Sequence, residues 1–172
     1  MRLNKCGNVQ VEATAVGGEG GNLAFFLVEG AEDYCNSFRP PAVKSATTKI
    51  AVAVTTLDNF LIRRGIPKVD FVKLDVEGAE LDVLKGSKRL LTGTARPVWL
   101  VEVYDIRTSP WGYAAMEIVG YLGGIGYQWY RLHEGGSMVA IDADLDAYDM
   151  NLVAVPLERI QEVSDLVAEQ GV

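Results

Sequence analysis

Residues Pro97 to Val103 read Pro-Val-Trp-Leu-Val-Glu-Val, and this run constrains the fold more than any other part of the chain. It is nearly all apolar, the pattern of a strand covered on both faces, and such strands belong to parallel sheets flanked by helices. The neighbouring segments follow the same grammar. Ile50 to Val54 is a short β-branched strand, and Thr55-Thr-Leu-Asp58 has the form of a capping box opening a helix with Leu57, Phe60 and Leu61 on one face. Gly65 and Pro67 stop that helix. Val69 to Asp75 is a compact strand, and Glu77 to Leu91 is a helix that buries Leu81, Leu84 and Leu91. Ser109-Pro110 opens another helix, with Met116, Val119 and Leu122 at helical spacing and Gly123-Gly124 at its end. Tyr127 to Leu132 and Asn151 to Val155 are two further strands joined by a long acidic loop. Pro156 then leads into a last helix with Ile160, Val163 and Val167 on one face. With no internal repeat, low-complexity tract or second core, this alternation predicts one α/β domain over residues 1–172, built on a mostly parallel sheet.

The segment ahead of Ile50 reads differently. Val9 to Ala15 alternates apolar and polar residues with period two, Leu23 to Val28 is an apolar run, and Gly17-Gly-Glu-Gly-Gly21 lies between them. That order predicts a hairpin or two consecutive sheet elements. The glycines do not form a phosphate loop, because Leu23 stands where a GxGxxG motif requires its third glycine and no helix follows. Glu32 to Lys49, with Asn, Ser, Thr and the Pro40-Pro41 pair, reads as a surface loop.

Composition excludes several classes. The 172 residues carry 16 Lys+Arg against 23 Asp+Glu, a formal net charge of −7, so a general nucleic-acid binder is not expected. The densest basic cluster, Lys85, Lys88 and Arg89, reads as a solvated helix face. With 49% hydrophobic and 23% charged residues the chain is expected to fold as an ordinary globular domain. Cys6 and Cys35 are too few for a disulfide scaffold and lack CxxC spacing. His133 is the single histidine, which disfavours histidine-rich metal sites and Ser-His-Asp catalysis. No run approaches the roughly 20 apolar residues needed to cross a bilayer, and the first residues show no apolar signal core, so membrane association is not expected and a cytoplasmic location is the default.

Ligands in open α/β sheets bind beyond the carboxyl ends of the strands. Lys73-Leu-Asp-Val-Glu-Gly-Ala-Glu80 runs off such an end, placing Asp75 and Glu77 at the rim with Gly78 permitting close backbone approach. Two carboxylates there can serve as general base, metal ligand or acceptor for a ligand hydroxyl. Equally, Glu77 can answer a helix dipole and Asp75 can cap the helix. Glu102 is a carboxylate inside an apolar run, and burying it unpaired is costly, so it must reach a partner or the strand-end cleft. Lys73 shares a strand face with Asp75, which makes an ion pair plausible. A carboxylate metal-dependent hydrolase built on Asp75, Glu77 and Glu102 lacks a companion histidine, and no metal site is expected.

Together, Thr55-Thr-Leu-Asp58, Val69-Asp70, Lys73-Leu-Asp-Val-Glu-Gly-Ala-Glu-Leu81, Leu84-Lys-Gly86, Arg96-Pro97 and Val101-Glu-Val103 resemble FkbM-type methyltransferases. Asn8 to Gly17, Gly126-Tyr127 and Asn151 to Pro156 extend the resemblance over nearly the whole chain. It implies a Rossmann-like class I methyltransferase sheet with an antiparallel C-terminal strand, S-adenosylmethionine as methyl donor and a small-molecule acceptor, a sugar or secondary-metabolite hydroxyl. Carried over, Asp75, Glu77 and Gly78 lie beside the donor, Glu102 flanks the acceptor, Lys73 supports Asp75, and Ala15 and Val16 lie toward the adenine. The loop from Asp105 to Gly112, with Trp111 and Tyr113, is expected to touch the acceptor. The family's glycine-rich donor turn and its acid-ended strand belong upstream, where only Met1-Arg-Leu3 precedes Asn4. The sheet is therefore expected to be N-terminally incomplete, with open edges that invite homo-oligomerisation. A non-catalytic assembly module made from the half-sheet is the alternative expectation.

Overall fold

The computed structural model describes residues 6–30, 35–40, 44–142 and 144–168. It is a mixed α/β fold with two sheets. The first contains β1 (Ala15–Val16), β2 (Gly21–Val28) and β3 (Thr47–Thr55) in the order β1-β3-β2. The second contains β4 (Phe71–Leu74), β5 (Val98–Tyr104), β6 (Tyr127–Leu132), β7 (Met138–Ala140) and β8 (Asp149–Pro156) in the order β4-β5-β8-β6-β7. Five short α-helices connect them: α1 (Leu57–Arg64), α2 (Glu80–Lys85), α3 (Lys88–Thr92), α4 (Asp105–Thr108) and α5 (Met116–Gly124).

Of the two predicted forms, the hairpin does not occur and two consecutive sheet elements do. β1 pairs parallel with β3 and β2 pairs antiparallel with it, so these two consecutive elements flank a third rather than each other. Residues 9–14 form no strand, despite their alternation. The expected surface loop ends earlier than its composition implied, because β3 begins at Thr47 and pairs from there to Val54 with β2. Residues 31–34 and 41–43 of that stretch lie outside the described residues.

In the second sheet β4 and β5 are parallel, while β5·β8, β8·β6 and β6·β7 are all antiparallel. The mostly parallel expectation is thus corrected. β4, β5 and β6 do run in one direction, and β8 is the expected antiparallel late strand, but its place between β5 and β6 converts two contacts to antiparallel pairs. β7 lies in the segment expected to be an acidic loop. Its turn holds Gly135 at φ 89° and Gly136 at φ 88°, a region glycine enters without steric cost, and the Gly136 amide donates to the His133 carbonyl at 3.1 Å.

β5 shows why Pro97 to Val103 is apolar. Trp99, Val101 and Val103 are fully buried against α2, α3 and α5, with Leu84, Leu91, Ile118 and Leu122 in the same core. Each such side chain contributes about 1.5–3 kcal/mol by leaving water. Val98 and Leu100 face the other side, where Val155, Ile160, Val163 and Val167 form a smaller cluster. The last helix is a 3-10 segment, Leu157–Leu166, rather than an α-helix.

Helix boundaries also differ from expectation. Thr56, not Thr55, caps α1 by accepting the Asn59 amide at 3.1 Å, and Gly65 ends the helix at φ 63°. Asp58 instead caps α3, its carboxylate accepting the amides of Arg89 at 2.7 Å and Leu90 at 3.0 Å. The helix expected over Glu77 to Leu91 is two helices broken at Gly86. A Cβ on Gly86 would stand 2.4 Å from the Gly17 carbonyl, so this glycine lets the turn after β1 rest on α2. Ser109 to Trp111 is a 3-10 turn, and α5 starts only at Met116. Exposed Met116 is not a core residue, and Ile118 is buried in its place.

At the start of β5, Arg96 fastens three elements. It pairs with Glu158, donates to the Ile125 and Gly126 carbonyls, and lies 4.9 Å from the Tyr127 ring centroid. Among the described residues the β4 edge is unpaired on the side away from β5. The β7 edge is partly covered by a bridge from Met138 to Val167.

Candidate functional site

The site begins with strand register. Lys73 lies opposite Leu100 and Leu74 opposite Val101 in the parallel β4·β5 pair. One further step sets Asp75 beside Glu102, at the roughly 4.8 Å spacing of neighbouring strands. Val72 and Leu74 face the helices, so Lys73, Asp75 and Glu102 share the opposite face. The turn after Asp75 brings Glu77 back, and carboxylate oxygens of Asp75, Glu77 and Glu102 lie within 4.8 Å of one another. Three acids at that separation can share a cation or trade a proton.

Glu77 has φ 54° and Gly78 has φ 96°. Glu77 is the non-glycine residue in the left-handed region among those described, an uncommon conformation for a residue with a side chain. The surroundings hold it there. Trp111 Nε1 and Ser37 Oγ each donate to the Glu77 carbonyl at 3.2 Å, and the Tyr113 hydroxyl donates to the Gly78 carbonyl at 2.6 Å. A Cβ on Gly78 would stand 2.2 Å from the Arg107 carbonyl and 2.6 Å from the Trp111 ring. No side chain larger than hydrogen fits at this position.

Glu80 lies under this turn and is 1% exposed. Its Oε1 accepts the amides of Val76 at 3.0 Å and Gly78 at 3.3 Å. Neither Asp75 nor Glu77 serves α2 as the sequence allowed. The N-cap of α2 is Ala79, without a side-chain cap, and Glu77 precedes the first helical turn.

Arg107, from α4, places Nε 3.1 Å from Glu77 Oε2 and Nη1 3.8 Å from the buried Cys35 sulfur. Lys73 pairs with Asp75 as expected, with both side chains about half exposed, and such a pair contributes at most about 1 kcal/mol. The cluster remains acid-rich, and its proton affinities show it. Burial, then the charges of Asp75, Glu77 and Glu80, push the Glu102 carboxyl up to about 7, against the opposing pull of Arg107. Burial also raises Glu77, opposed by Arg107 and reinforced by Asp75. One oxygen of Glu102 and one of Glu80 are buried with no hydrogen-bond partner.

Trp111 divides two hollows. A small one of about 60 Å³ is lined by Cys35, Ser37, Arg39, Glu77 and Arg107, and the Arg39 guanidinium lies 5.1 Å from the Trp111 ring centroid. A larger one of about 550 Å³ is lined by Val16, the glycine run to Leu23, Phe38, Ala79, Asp82 and Lys85. Val16 lines the larger hollow and Glu77 the smaller, and Trp111 lines both. Ala15 sits in the β1·β3 ladder opposite Val54 and lines neither hollow. His133 lies in the β6–β7 turn, exposed and apart from the acids.

The structure thus brings together the three acids, Lys73 and Gly78 that the sequence singled out, and sets beside them Glu80, Arg107 and Ser37, which the sequence did not single out. Trp111 and Tyr113, expected to touch an acceptor, brace the Glu77–Gly78 turn. A lone arginine five residues beyond the strand glutamate was the available signal for Arg107.

A mixed α/β fold with an acidic site at adjacent parallel strand ends is consistent with a methyltransferase domain. The family model described as the Methyltransferase FkbM domain matches residues 3–129, from the segment before β1 into β6, and the chain belongs to that family. No curated protein and no solved structure gives a significant match. Among the described residues no helix is long and apolar enough to cross a membrane.

Proposed function

We propose that the protein is an S-adenosylmethionine-dependent O-methyltransferase with a Rossmann-like class I sheet in a single domain, acting in the cytoplasm on a hydroxyl of a sugar or secondary metabolite. Family membership supports methyl transfer. The shared direction of β4, β5 and β6 with antiparallel β8 among them supports the sheet class. The observation that carries the reading is the acid cluster itself, where Asp75, Glu77, Glu102 and Glu80 outnumber Lys73 and Arg107.

An acid-rich cleft with a buried, unpartnered Glu102 oxygen fits the cationic end of such a donor. Asp75 and Glu77 would hold that end, Gly78 would admit it closely, and Val16, with Ala15 behind it, would lie toward the adenine. Bound donor supplies an electrophilic methyl group on a positively charged sulfur. Glu102, balanced near neutral pH between its two protonation states, takes the proton from the acceptor hydroxyl, because a base is most effective when its pKa lies near the working pH. Arg107 opposes the rise that burial gives to the proton affinity of Glu77, and Lys73 orients Asp75. The remaining work is positioning of the reacting atoms.

Titration calorimetry with S-adenosylmethionine and with S-adenosylhomocysteine, which lacks the sulfonium charge, tests this. Asp75→Ala should weaken binding of the sulfonium at least about tenfold while changing the thioether much less, the difference expected when a charge contact is lost. Equal effects on both ligands, or no binding of either to the wild type, would remove the reading. The β4 edge, unpaired among the described residues, favours a second one, an assembly module that self-associates through its sheet.

A further inference from the structure

We propose that Glu80 is a positioning residue of the carboxylate site: through Oε1 it clamps the amides of Val76 and Gly78, fixing the left-handed Glu77 between them, and through Oε2 it adds negative charge that reaches Asp75 and Glu102. The functional consequence rests on the methyl-transfer reading; the structural claim does not.

Three observations carry it. Glu80 is 1% exposed, and a carboxylate that deep is retained only where its neighbours need it. Both bonds of Oε1 go to the residues flanking Glu77, so the side chain closes the turn from inside while Trp111, Ser37 and Tyr113 hold its carbonyls from outside. Those amide bonds oppose, from the inner side, relaxation of Glu77 out of the left-handed region, which would carry its carboxylate away from Asp75 and Glu102. Finally, burial raises the proton affinity of Glu80 while the amides of Val76 and Gly78 oppose that rise, so the two amide bonds favour the charged form, whose Oε2 has no hydrogen-bond partner.

That charge has identifiable recipients. The charged and titratable groups acting on Glu102 are Asp75, Glu77, Glu80 and Arg107. Those tied to Glu80 are Asp75 and the Tyr113 hydroxyl, whose proton affinity burial raises and the Glu80 charge raises further. Arg107 is already paired with Glu77. Glu80 is therefore the one member of the acid group that is buried and bound to no cation among the described residues.

Two variants separate the clamp from the charge. Glu80→Gln keeps an acceptor for the amides and removes the charge, whereas Glu80→Ala removes both. Amide hydrogen exchange at Val76 and Gly78, and carbon-13 titration of the Glu102 carboxyl, read the two effects without donor or acceptor. Glu80→Ala should speed exchange at both amides by about tenfold, the equivalent of one hydrogen bond to a charged acceptor. Glu80→Gln should leave them near wild-type protection and lower the titration midpoint of Glu102. Unchanged exchange in Glu80→Ala, or an unchanged Glu102 midpoint in Glu80→Gln, overturns the proposal. Should Glu80→Ala fail to fold, the Glu80→Gln midpoint alone decides. A wild type that shows these couplings yet binds no S-adenosylmethionine defeats the methyl-transfer reading and leaves this one standing.

Discussion

Replacing Glu102 by glutamine should make the protein more stable at neutral pH and leave it nearly unchanged in acid. The folded state raises the carboxyl from 4.5 to about 7, so folded protein binds a proton that unfolded protein has already released. Between those values stability falls as pH rises, and above about 7 the full cost of an ionised Glu102 is present. At about 1.36 kcal/mol per tenfold change in proton affinity, the upper limit is about 3 kcal/mol. Glu102 is only half-buried, so solvent screening reduces this to about 1–2 kcal/mol. Glutamine preserves the shape and abolishes the titration. Urea denaturation followed by tryptophan fluorescence is suitable, because Trp99 and Trp129 are buried. The stability difference between variant and wild type should be small at about pH 4, and should favour the variant by about 1–2 kcal/mol at about pH 8. A difference that does not change with pH would refute the assignment of a raised carboxyl to Glu102.

Gly78→Ala should destabilise the fold by about 3 kcal/mol or more, since a Cβ there collides with the Arg107 carbonyl and the Trp111 ring in addition to straining a φ of 96°; thermal denaturation would register it. Asp58→Ala should cost about 1 kcal/mol by uncapping α3, readable as a lower urea midpoint at unchanged slope. Arg107→Gln should raise the proton affinity of Glu77 further, because burial then acts without its opposing charge; a carbon-13 titration of Glu77 that stays in place would contradict this.

Much of the fold was legible because buried apolar runs leave a clear pattern. Tyr127 to Leu132 matches β6 residue for residue, and Pro97 to Val103 lies within one residue of β5. What failed depended on contacts between distant segments. The periodicity of Glu77 to Leu91 suits one helix, and only the approach of Gly17 to Gly86 shows why it breaks. The order of β8 between β5 and β6 is a tertiary fact, invisible in the alternation that suggested a parallel sheet. β7 had a local signal in Gly135-Gly136, obscured by the acidic composition that follows.

The site divides along the same line. Lys73 and Asp75 are two residues apart on one strand, so their ion pair follows from the period of a strand. Glu102 betrays itself by interrupting an apolar run. That Asp75 and Glu102 meet, however, depends on the register of β4 against β5: a slip of one residue would turn one of them to the helix face and dissolve the cluster. Glu80 is hidden by the opposite effect. An acidic residue in the first turn of a helix is ordinary in sequence, favoured by the helix dipole and usually exposed. Only its burial and its bonds to Val76 and Gly78 distinguish it. Residues whose role comes from strand periodicity can therefore be read from this chain alone, while those that work by holding a turn become recognisable only once the turn is seen.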